Sequence, residues 1–201
     1  ERVAYIRLNT TKPPLNNIKL RLAAAHAIDK EGLVQGILGG YDKPVPELLT
    51  PAIFGWIDGI KAPGYDLAKA KALVAEVGPA AKTEIELATS PTFDQRIVQA
   101  IQQQLNEAGF NVKIGMSDMA TYLKRAQAGP EATSMLSFGR WSCACQDADG
   151  VLFPLLHKSS GWSAYRNPKM DALLEDARTT LDKDKRLIAE RDKGRAILVV
   201  S

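Results

Sequence analysis

The chain has 201 residues, 45% of them hydrophobic, 24% charged and 6% aromatic, a globular mix that excludes collagen-like, mucin-like and strongly disordered classes. Its 26 basic and 23 acidic residues leave a net charge of +3, too small to imply a nucleic-acid or membrane partner, and the Lys and Arg residues are scattered among acids with no nucleic-acid-reading motif. No apolar run approaches the roughly 18 residues that a spanning helix needs. The abrupt start at Glu1-Arg2-Val3 and the stop at Val199-Val200-Ser201 suggest a piece of something longer.

Val3 to Asn9 alternates apolar and polar residues as a strand does, and Lys12-Pro13-Pro14 ends it. Asn16 or Asn17 then caps a helix running through His26, and Asp29 caps a second that stops at Gly39-Gly40. Tyr41 to Gly64 holds four prolines yet carries Leu48, Leu49, Ile53, Phe54, Trp56 and Ile57, so it reads as a long ordered loop. Asp66 caps the next helix, which Gly78 ends. Thr83 to Thr89 alternates again, and Thr92 with Gln95 forms a candidate capping box for a helix through Leu105. Phe110, Val112, Ile114 and Met116 then mark a second strand with those four side chains on one face. Strand, helix and strand make a βαβ unit, which argues for parallel pairing in a mixed α/β sheet with flanking helices.

Asp118 starts a short helix closed by Gly129-Pro130, and Ser134 to Trp141 is a further strand. Asn167-Pro168 opens a helix through Leu173, Leu174, Ala177 and Leu181, with another from Leu187 to Val199.

The two cysteines stand as Cys143-Ala144-Cys145. A metal or redox module would have to recruit His157 and an aspartate, Asp147 or Asp149, because no second cysteine pair or histidine pair follows. A bonded pair would stiffen the loop in an oxidising compartment. Two reduced thiols packed under the loop is the simplest reading. His26, in an alanine-rich helix, reads as a packed helix residue, and His157 as a helix-terminal group. The chain lacks a nucleophile motif, a Gly-rich phosphate cradle and any cofactor signature, so neither an enzyme nor a cofactor is expected. Asp147 and Asp149 lie near a helix start and suit capping. Trp141 ends a strand beside Arg140, Cys143 and Asp147, where α/β sheets form ligand crevices; a planar aromatic next to a cation and a carboxylate suits a polar or zwitterionic solute. Trp141 as a core anchor is the competing reading.

Three segments, in order, resemble the family 5 solute-binding proteins of ABC importers. They are Asn9 to Leu15 with Leu20 to Asp29, then Gly64 to Val74 followed by Glu76-Val77-Gly78, and Tyr165 to Arg178. The resemblance implies one lobe, residues 1–201, of a longer two-lobed periplasmic or cell-surface receptor. Such a receptor, monomeric at full length, closes on a peptide or similar small solute and delivers it to membrane permease subunits. In peptide-binding members a Trp is followed three residues later by an Asp that meets the solute's ammonium group. Trp141 matches the Trp, Ala144 holds the place of that Asp, and Asp147 matches the acid of a following Asp-Pro. Arg140, Trp141, Ser142, Cys143, Cys145 and Asp147 are therefore the expected lining of the cleft.

Overall fold

A computed structural model describes residues 2–180. Its four strands form one sheet in the order β1-β4-β2-β3. β1 (Val3–Leu8) pairs antiparallel with β4 (Leu136–Trp141), whereas β2 (Glu84–Thr89) pairs parallel with both β3 (Asn111–Met116) and β4. The parallel pairing expected of the βαβ unit is present, its crossover being α4 (Gln95–Glu107).

Period-two alternation divides the sheet into two faces. Leu8, Leu136, Phe138, Ile85, Leu87 and Val112 pack with α1 (Ile18–Ala27), α2 (Lys30–Ile37), α3 (Leu67–Val77) and α4 in the main core. Arg7, Ala88 and Ser137 fall on the other face, where α5 (Met119–Ala126) contributes the buried Tyr122 and Ala126. A second core joins α6 (Asp149–Leu156) and α7 (Pro168–Thr179) to Leu48 and Leu49 of the proline-rich loop, which is thereby anchored, as its apolar content requires. The residues from Leu181 on, including the helix expected over 187–199, lie outside the described residues.

Asn17, Asp29, Asp66, Asp118 and Asn167 each accept a backbone N–H at a helix start, as their positions indicate. The capping box at Thr92 is corrected. The chain turns tightly after β2, with the Phe93 amide donating to Ser90 O at 3.0 Å. Thr92 is therefore spent in the turn, and Asp94 caps α4 by accepting the Arg96 amide at 3.0 Å. Met116 ends the edge strand β3, as the alternation indicates, and is 54% exposed there.

Candidate functional site

After β2 the chain leaves toward α4 on the main-core face, and after β4 it leaves toward α6 on the other. Two adjacent parallel strands whose connections part in this way open a crevice at their carboxyl ends. Register adds a second feature. Ala88 pairs with Ser137 and β2 ends one residue later, so Gly139, Arg140 and Trp141 of β4 run on beyond it. On their other side these residues pair with Tyr5, Ala4 and Val3 of β1. β4 thus overhangs the crevice with a strand partner on one side only, among the described residues.

The six expected residues do not form one patch. Arg140 is exposed on the main-core side, its guanidinium 5.5 Å from the centroid of the Phe93 ring. Phe93 in turn meets Tyr122 and Phe138 edge to face, each at 5.4 Å. Trp141 is half-buried on the opposite side, its ring edge to face with Trp162 at 5.2 Å. Its Nε1–H donates to Gly150 O at 3.0 Å, so one edge is anchored and the indole has the core contacts of the competing reading as well. Ser142 is exposed at the start of the following loop.

Cys143 and Cys145 are bonded to each other, with a Cα–Cα distance of 5.2 Å, which corrects the reduced-thiol reading. Both sulfurs lie against Gly150: a Cβ there would stand 2.2 Å from one and 2.5 Å from the other. The disulfide and the Trp141 hydrogen bond therefore converge on the same glycine. The loop is held from behind by the proline-rich segment, since the Phe54 amide donates to Gln146 O and Phe54 O accepts from the Ala148 amide, both at 2.9 Å. Gln146 adopts φ 51°, unusual for a residue with a Cβ, to make this tie.

Asp147 is half-buried, and its Oδ1 accepts the Asp149 amide at 2.9 Å, closing the turn into α6. Asp149 pairs with Arg178 at 3.2 Å. Both acids thus serve the ends of helices, as their position indicates. His157 follows α6 at its far end, about 12 Å along the axis from the cysteine loop. There its Nε2 lies 3.0 Å from Glu175 Oε1 and its Nδ1 2.7 Å from Ser159 Oγ. A site of Cys143, Cys145 and His157 does not assemble, and among the described residues no three His, Cys, Asp or Glu side chains are grouped for a metal.

Beside the loop's anchor, Glu47 is only 2% exposed and neither carboxylate oxygen has a hydrogen-bond partner among the described residues. Burial pushes its pKa up to about 7; the Ile57 amide nearby draws it back slightly without forming a hydrogen bond. Phe93, Trp162, Gly150 and Phe54 are the site residues that sequence reasoning missed. Phe93 alone carried a signal, an aromatic at the turn leaving a parallel strand.

Residues 1–163 match the sequence model of the bacterial extracellular solute-binding proteins, family 5 Middle. Heme-binding protein A of Haemophilus influenzae is 32% identical over 194 residues, covering 92% of this chain and 35% of that protein. The dipeptide-binding protein of Escherichia coli is 28% identical over 196 residues, covering 92% and 36% respectively. Among solved structures, the periplasmic binding protein DppA from Helicobacter pylori in complex with the peptide STSA superposes with a TM-score of 0.90 at 27% identity, over 98% of this chain and 40% of that one. The chain spans about a third of the length of the two curated relatives.

Proposed function

The chain belongs to the family 5 bacterial extracellular solute-binding proteins, and from that premise we propose that residues 1–201 are one lobe of a periplasmic or cell-surface receptor. The receptor captures a peptide or peptide-like solute between two lobes and hands it to the membrane permease of an ABC importer. It binds and releases the solute unchanged. The observation that carries this reading is the overhang of β4 at the crevice. A strand edge with one partner pairs with an extended backbone through main-chain hydrogen bonds, which suits peptides because those bonds do not depend on side-chain identity. Arg140 then offers a cation on one flank and Trp141 an aromatic wall on the other. Ser142, Cys143 and Cys145 form the rim, and Asp147 offers the loop's carboxylate, Ala144 having none.

Calorimetry of the full-length receptor with a set of di- to tetrapeptides tests this. A peptide binds the wild type, and Trp141→Ala weakens that binding by about 1–3 kcal/mol through lost apolar contact. Trp141→Phe restores most of the loss. Unchanged affinity in Trp141→Ala would assign the indole to the core alone, and failure of every peptide would remove the peptide class.

A further inference from the structure

Arg7 is a half-buried cation without a countercharge among the described residues. β1 places it on the face beneath α5, where its guanidinium donates to Ser137 Oγ at 3.1 Å, to Ala126 O at 2.9 Å and to Trp162 O at 2.8 Å, as well as to Thr133 Oγ1. Every one of these acceptors is neutral. Among the described residues no carboxylate lies within ion-pair distance of it. The acid of this neighbourhood, Glu86, is already committed to the Arg125 guanidinium, at 3.1 and 2.7 Å, and to the Ser134 hydroxyl, at 2.7 Å. Two guanidiniums and one carboxylate leave a surplus positive charge; the Arg125–Glu86 pair is partly open to solvent, so the uncompensated charge falls on the half-buried Arg7, whose lost hydration is costly without a partner. Burial pulls the Arg7 pKa down, as expected of a cation in that position.

A cavity of about 10 Å³ adjoins these groups, lined on its polar side by Arg7, Arg125, Ser117, Thr133, Ser134 and Ser137. That is room for one occupant about the size of a water molecule. Ser137 and Thr133 accept from Arg7, so their own hydroxyl protons are available to point into the space. The polar side chains of the wall are thus two cations and several hydroxyls, of which Ser134 already donates to Glu86 and Tyr122 to Phe138 O, with no carboxylate in the wall itself.

We propose that this cavity binds a single monoatomic anion of the chloride class, which supplies the countercharge that Arg7 lacks. The cavity shares no lining residue with the solute crevice, although Arg7 also holds the Trp162 carbonyl, and the proposal does not rest on the peptide reading.

The test follows thermal unfolding of the full chain in potassium chloride, bromide and gluconate at one ionic strength, alongside a crystal soaked in bromide. Tm rises saturably with either halide, by about 3–5 °C at ten times Kd, and does not rise with gluconate. Bromide gives an anomalous peak within hydrogen-bond distance of Arg7. Arg7→Met abolishes the halide dependence; Ser137→Ala, which keeps the cation and removes one donor, shifts saturation to higher halide should Arg7→Met not fold. Equal Tm in all three salts overturns the proposal, as does a halide effect with no bromide in the cavity. A bromide peak without the solution effect is binding at crystal concentration only and overturns it too.

Discussion

At Glu47 a carboxyl group is enclosed beside Leu48 and Leu49 with no hydrogen-bond partner for either oxygen among the described residues. Its ionised form loses hydration without compensation, so the folded pKa rises to about 7 from 4.5. The sign follows from proton counting. Between those two values the folded state binds more protons than the unfolded state, so stability falls as pH rises through the window. Below it both states are protonated and the penalty vanishes; above it the penalty is complete. Glu47→Gln keeps the shape and removes the charge. Urea unfolding near pH 8 should therefore find the variant more stable by roughly 1–3 kcal/mol, with the two proteins converging near pH 4. A variant less stable than wild type at the higher pH would mean that the carboxylate is paired and useful.

The same scale shows what the sequence could and could not reveal about the site. Arg140, Trp141 and the cysteines were legible as a group because a polar, aromatic and cysteine-bearing stretch follows an alternating strand. Their division was implicit in the same alternation, since neighbours in a strand point to opposite faces. Adjacency in sequence is not adjacency in space within a strand. The disulfide was undecidable from spacing alone; only the placement of Gly150 under both sulfurs gives the pair its seat.

At the scale of elements, most of the fold was legible. Helix starts were read from Asp and Asn side chains that accept nearby amides, and strands from period-two alternation. The exception at α4 is informative. Thr92 and Asp94 are both capable caps two residues apart, and the tertiary turn at Ser90 to Phe93 selects between them. Asp94→Ala should cost about 1 kcal/mol in urea unfolding, whereas Thr92→Ala should cost a few tenths. Equal losses would restore a capping role to Thr92. The tie between the proline-rich loop and residues 146–148 had no sequence signature at all. It is made by the amide and carbonyl of Phe54, groups that nearly every residue type possesses.

On the scale of the whole molecule, the sheet has helices on both faces and its crevice lies where the chain changes face. That position follows from topology: β2 sends the chain to one side, its neighbour β4 to the other, and the gap between their exits cannot be filled by either connection. If this lobe closes against a second one, binding and compaction are linked. Small-angle scattering of the full-length receptor should show a smaller radius of gyration when saturated with the peptide found by calorimetry. Trp141→Ala should reach the same compact form at higher peptide concentration. A radius unchanged at saturation would rule out closure as the mode of capture and leave the crevice a simple surface site.

The mooring of the cysteine loop by Phe54 separates where the loop stands from what it displays. Its two holding bonds run through main chain alone, and Ser142, Ala144 and Cys145 are exposed between the strand end and the tie. Replacing Ser142 or Ala144 alters the chemistry offered to a solute while leaving those bonds in place. A lobe of this kind could acquire a new specificity through substitutions in a few exposed positions, without first having to survive a loss of folding.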